Sequence, residues 1–115
     1  ENVGPPLEHH PLFPERANIS FVHQIRPNKF RMRVWERGVG ITFACGSGAC
    51  AVGVAVHRSG RGSRKTEIIM DGGSVFIDWQ DDGTVGGRVI MLGPVAYVYN
   101  GILWERFDRL LRLGT

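Results

Sequence analysis

Ala44-Cys45-Gly46-Ser47-Gly48-Ala49-Cys50-Ala51, running on into Val52-Gly53-Val54-Ala55-Val56, is the stretch that decides the fold. Residues 49–56 carry no charge, which predicts a helix that is apolar on every face and enclosed by other elements on all sides. Its start is chemically distinctive. The first N–H groups of any helix lack partners within it. Beside residues as small as Gly46, Ser47 and Gly48 they are also uncovered, so this end can receive an anion such as a substrate carboxylate. The same groups favour a thiolate at Cys45, which predicts a usable base rather than an inert thiol.

Around this helix the chain reads as short strands. Residues 19–25 and 30–35 alternate apolar with polar side chains, and Arg26-Pro27-Asn28 between them is turn chemistry, so the two pair as a hairpin. Residues 66–71, 74–79, 88–92 and 95–99 follow as four more strands, separated by Gly72-Gly73, Asp81-Asp82-Gly83 and Gly93-Pro94. Such close spacing predicts mostly antiparallel pairing. One apolar helix among about six strands is best buried by a sheet that curls around it, giving an α+β barrel or half-barrel with a central helix. Residues 102–113 differ: Leu103, Phe107, Leu110 and Leu111 share one helical face, and Glu105 with Arg109 and Asp108 with Arg112 form pairs four apart. This predicts an amphipathic helical tail that packs on the domain or on a partner rather than on a membrane.

Composition excludes several function classes. The chain has 115 residues, 43% of them hydrophobic, enough for one domain with one core. A net charge of +3 is too slight for a nucleic-acid binder, and the cluster Arg58-Ser59-Gly60-Arg61-Gly62-Ser63-Arg64-Lys65 reads as a solvated loop. No apolar run reaches transmembrane length and no secretory signal is visible. Cys45 and Cys50, five residues apart, point to different sides of a helix, so an internal disulfide is not expected and a reducing cytoplasm is. Cys50, inside the helix, is expected to be buried. The start at Glu1-Asn2-Val3 without methionine points to a fragment or a processed product.

Four segments in order carry a resemblance: Phe13-Pro14-Glu15-Arg16-Ala17-Asn18, then Trp35-Glu36-Arg37-Gly38-Val39-Gly40, then residues 44–51, then Asp71-Gly72-Gly73. From about Asn2 to about Gly101 the chain resembles the C-terminal half of the diaminopimelate epimerases. The resemblance implies a cofactor-independent isomerase of two pseudo-symmetric domains, each a barrel-like sheet around a helix and each giving one catalytic cysteine. Its substrate would be LL-diaminopimelate, converted to the meso isomer in the biosynthesis of lysine and peptidoglycan. On this reading residues 1–101 form the C-terminal domain, residues 102–115 the tail, and the N-terminal catalytic domain is absent from the chain. The rim left by that missing partner is a surface through which a homodimer could form.

The resemblance also assigns roles. Cys45 would be one of two acid/base thiols, with Gly46 and Ser47 holding the reacting carboxylate. Arg37 would grip the distal carboxylate as a fork, and Glu36 would lie near the thiol and the distal amine and help set the protonation of Cys45. Asn18 would contact the distal carboxylate. Without the resemblance, Glu36-Arg37 is ordinary solvated surface at a strand end and Asn18 makes a local turn bond. Ile41 stands where the family commonly has glutamate, and the tail after Gly101 runs beyond the family's usual end.

Other residues stay structural. His9, His10, His23 and His57 lack metal-ligand spacing, so no metal site is expected. Met32, Met70 and Met91 read as core fillers. Lys29 and Lys65 read as exposed, without the setting of a Schiff-base lysine, which argues against pyridoxal chemistry. Two further function readings stay open: a non-catalytic barrel used for binding or assembly, with Cys45 a small buried hydrophobe, and a related amino-acid racemase of the same fold.

Overall fold

The computed structural model describes residues 2–102. A short helix, α1 (Gly4–Glu8), precedes a hairpin of β1 (Ile19–Arg26) and β2 (Lys29–Glu36). Asn28 takes the left-handed conformation in the turn, φ 59°, a place asparagine tolerates well. β3 (Gly40–Thr42) folds back on the end of β2, α2 (Gly46–Arg58) crosses the sheet, and β4 (Lys65–Met70), β5 (Gly73–Gln80) and β6 (Arg88–Leu92) complete it. The strand order is β1-β2-β4-β5-β6, with β3 paired to β2. All pairs are antiparallel except β2 with β4, which are joined by the crossover through α2.

Alternation along the strands decides which face α2 covers. Phe30, Met32 and Val34 of β2, Ile68 and Met70 of β4 and Ile77 of β5 turn inward and are buried with Ala49, Val52 and Val56 of the helix. The approach is close at Gly53. A Cβ there would lie 2.5 Å from Ile77 Cγ2, so only glycine lets the helix sit this low on β5. Full burial of these aliphatic side chains is worth about 1.5–3 kcal/mol each, which makes this layer the domain's main source of stability.

Several expectations are corrected. Of the barrel or half-barrel expected, the described residues form a mostly antiparallel sheet that stays open, with β1 and β6 as its edges. The helix is accordingly not enclosed, since Ala51 and Ala55 are exposed along the gap between those edges. The apolar run misled because alanines on that face are too small to signal either burial or exposure. A groove of about 650 Å³ remains between this face and Ser20, Val22 and Gln24 of β1. Residues 95–99 form no strand; Val95, Tyr97, Val98 and Tyr99 are at least 86% exposed, and no strand among the described residues pairs with them. Cys50 is half-buried rather than buried, for the same reason as the alanines. Met91 is 49% exposed and not a core filler, whereas Met32 and Met70 are buried. Lys29 is drawn out of full exposure by an ion pair with Glu67 at 2.9 Å. The tail helix expected over 102–113 lies, beyond Ile102, outside the described residues.

Candidate functional site

Strand directions gather the candidate residues at one end of the sheet. β2, β4 and β6 finish there, β1 and β5 start there, and α2 begins there, because the pairings alternate except at β2 and β4. Asn18, Glu36-Arg37, Cys45-Gly46-Ser47 and Asp71-Gly72-Gly73 all lie at this end.

Cys45 is the residue that caps α2. Its backbone is extended, φ −145° and ψ 103°, and its Sγ accepts a hydrogen bond from the Gly48 N–H at 3.3 Å. Ser47 Oγ lies 3.6 Å from the same sulfur. The Cys45 N–H donates to Met70 Sδ at 3.4 Å, and the Gly72 N–H donates to the Phe43 carbonyl at 2.7 Å, so the turn after β4 fixes the segment entering the helix. With the sulfur used as the cap, the N–H groups of Gly46 and Ser47 take no partner among the described residues. Met91 reaches over them from β6, close enough that a Cβ on Gly46 would stand 3.2 Å from its methyl. Cys50 sits one turn further along α2, where burial, and then the nearby Cys45, push its thiol above the ordinary range.

Glu36 comes off the inward face of β2, the same face as Met32 and Val34, at the helix start. Its Oε1 accepts from the Thr42 hydroxyl at 2.6 Å, and no hydrogen bond joins it to Cys45. Arg37 follows in the exposed turn to β3. Asn18 Oδ1 accepts from the Arg37 N–H at 2.8 Å, the Glu15 carbonyl accepts from Arg37 Nη1 at 2.9 Å, and no carboxylate among the described residues pairs with this guanidinium. Asn18 and Arg37 are thus brought together, and the asparagine's amide oxygen is spent on a backbone N–H 19 residues along the chain rather than on a local turn. Ile41 faces the other side of the sheet, beside Trp35, with which it is in register, so an apolar residue suits its surroundings there.

Three residues escaped sequence reasoning. Thr42 orients Glu36 and Met91 shelters the helix start; both become visible only through the register of β2 with β3 and of β5 with β6. The third is Glu8, whose side chain is almost fully buried. It accepts from Trp35 Nε1 at 2.7 Å, from the Gly38 N–H at 3.0 Å and from Arg16 at 3.3 Å. The Trp35 bond, with that from Gly38, holds its carboxyl below the usual glutamate range against the opposing effect of burial. Nothing in a Pro-rich entry segment signals this.

The sequence profile of the diaminopimelate epimerases matches residues 1–98. The chain belongs to the diaminopimelate epimerase family. Among its relatives, the diaminopimelate epimerase of Acidiphilium cryptum is 55% identical over 103 residues, covering 90% of this chain and 36% of that protein. That of Desulfitobacterium hafniense is 47% identical over 105 residues, 91% of this chain and 36% of the relative, and that of Rhodospirillum centenum is 52% identical over 103 residues, 90% and 34%. The chain therefore spans about a third of the length of these curated relatives. No helix among the described residues is long and apolar enough to cross a membrane.

Proposed function

We propose that this chain is the C-terminal half of a cofactor-independent epimerase that interconverts LL- and meso-diaminopimelate, with Cys45 as one of its two acid/base thiols. One observation carries the reading: the Cys45 sulfur caps α2 while the neighbouring Gly46 and Ser47 N–H groups take no partner among the described residues, which leaves a base and two carboxylate donors side by side.

Taking a proton from a carbon next to a carboxylate loads more negative charge onto an anion, so the site must supply a base at the carbon and positive electrostatics at the carboxylate. The Cys45 thiolate accepts the α-proton and becomes a thiol as the substrate carboxylate becomes enediolate-like against the Gly46 and Ser47 N–H groups. The thiol of the second half then delivers a proton to the opposite face of the carbon. In the reverse direction the two sulfurs exchange roles, and no net proton is gained or lost. Arg37 binds the distal carboxylate, Glu36 faces the distal amine and the thiol, and Asn18 lies against the same carboxylate. Met91 limits water at the helix start.

The test uses LL-diaminopimelate in deuterated water under reducing conditions. The full-length enzyme should convert it with deuterium at the α-carbon, and the 115-residue chain should not convert it. Full conversion to the meso isomer by this chain alone would overturn the two-half reading. Absence of exchange by the full-length enzyme would overturn the assignment altogether.

A further inference from the structure

The buried carboxylate of Glu8 takes no part in the chemistry proposed above, and it is an expensive group to bury. An apolar side chain would fasten α1 to the sheet at less cost. What the carboxylate does instead is collect hydrogen bonds from the tip of β2 and the turn that follows: Trp35 Nε1 from one side of Arg37 and the Gly38 N–H from the other. We propose that Glu8 is a positioning residue that fixes the turn presenting Arg37 to the distal carboxylate of the substrate, a role that rests on the assignment of Arg37 given above.

Three features support it. The anchor is rigid, because Gly4 at the start of α1 lies so close to the Trp35 ring that a Cβ there would stand 2.5 Å from it. Arg16 is held at φ 62°, uncommon for a residue with a side chain, and it pairs with Glu8. That pairing satisfies the carboxylate locally, so Arg37 keeps its charge for a ligand. Finally, Arg37 is held from the same entry segment at two more points, by Asn18 Oδ1 on its N–H and by the Glu15 carbonyl on its guanidinium. The bonds from Glu8, Glu15 and Asn18 thus leave Arg37 little freedom to lose when a carboxylate binds.

The test compares Glu8→Gln with Arg37→Ala in the full-length enzyme, alone and together, on diaminopimelate. Glutamine keeps the shape but loses the charge and one acceptor. KM should rise by about tenfold with kcat within about twofold, since a binding interaction common to ground and transition states is weakened. The effect should vanish in the Arg37→Ala background and be absent in the binding of lysine, which lacks the distal carboxylate. A loss in kcat with KM unchanged, an equal effect on lysine, or a full Glu8→Gln effect without Arg37 would each overturn the proposal. If Arg37→Ala leaves KM unchanged, the substrate reading fails and this role falls with it; if only Glu8→Gln is silent, the positioning role alone fails. Should Glu8→Gln not fold, Arg16→Gln decides, because its half-exposed side chain can be changed without disturbing packing. It should raise KM about threefold, and no change would overturn the role.

Discussion

The two ends of the sheet are both polar, and they are finished in opposite ways. Where α2 stops, the half-buried polar side chains pair within the domain, whereas exposed ones such as Arg58 and Arg61 take no partner among the described residues. His57 Nδ1 meets the Gly62 carbonyl at 3.2 Å and its ring meets Trp79 edge-on, the Arg64 guanidinium lies 4.6 Å above the Trp79 ring and donates to the Trp79 carbonyl, and Trp79 Nε1 donates to Gly86. Asn28 and Gln24 tie the intervening loop to the β1–β2 hairpin. Among the described residues, where α2 starts, the Gly46 and Ser47 N–H groups take no partner, and Arg37 spends one bond on a carbonyl and none on a carboxylate. Unspent donors beside a thiol mark the end that meets a ligand; the spent ones mark the end that holds the fold.

The sharpest way to break this contrast is at the sulfur. Cys45→Ser should lower epimerisation by the full-length enzyme by about a hundredfold or more, because a serine hydroxyl is too weak an acid to serve as the exchanging base, while Cys50→Ala should leave the rate nearly unchanged. Both are measured as turnover of LL-diaminopimelate with the fold checked by circular dichroism. A loss below about tenfold for Cys45→Ser would mean that the free donors at this end serve something other than proton exchange.

The other end should answer in stability rather than chemistry. Trp79→Ala removes the ring that Arg64 and His57 pack on and the donor to Gly86, and it should destabilise the domain by about 2 kcal/mol, read as the midpoint of denaturant unfolding. The alkylation rate of Cys45 in the folded chain should stay where it was. If that rate rose with the loss of stability, the two ends would be coupled and the division of labour between them would not hold.

How far this division could be read from the sequence depended on what each signal was made of. The strands were visible because Phe30, Met32 and Val34 alternate with Arg31 and Arg33 and because Ile68-Ile69-Met70 is a short apolar run closed by Gly72-Gly73, and the start of α2 because glycines and a serine gather around Cys45. β3 was invisible: three residues are too few for alternation to declare itself, yet they carry the threonine that orients Glu36. Residues 95–99 have the β-branched and aromatic composition of a strand and form none, since composition reports a preference and a strand also needs an edge to lie against. The apolar run of α2 suggested a helix covered on every side, yet Ala51 and Ala55 are exposed. Glu8 was beyond reach, because its partners lie 8, 27 and 30 residues away and a lone glutamate gives no hint of them.

Acid should loosen the site end before it melts the core. Glu8 is held below the ordinary glutamate range in the fold, chiefly by Trp35, so its contribution to stability is complete above that range and is lost as pH falls through the folded-state value. Asp82, at the opposite end after β5, is lowered by the hydroxyl and N–H of Thr84 and adds a stability loss of the same sign there. Unfolding midpoints measured from neutral to acid pH should therefore decline, and Glu8→Gln should flatten part of the slope. An unchanged slope would show that the carboxylate is not held in its charged form at this end.

The smallest effect comes from β4, the central strand of the sheet, close to the end where α2 stops. Thr66 on β4 is 2% exposed, turned inward in register with Ile77, and its hydroxyl has no hydrogen-bond partner among the described residues. A buried hydroxyl without a partner has lost its water and gained nothing in exchange, whereas a methyl of nearly the same size loses nothing on burial. Thr66→Val should thus stabilise the domain by about 1 kcal/mol, seen as a higher denaturant midpoint at unchanged slope. Because no hydrogen bond of Cys45 or Glu8 involves this position, Cys45 alkylation and the acid dependence should both stay as they are. A destabilised valine variant would mean that the hydroxyl does find a partner in solution, a water held between β4 and α2.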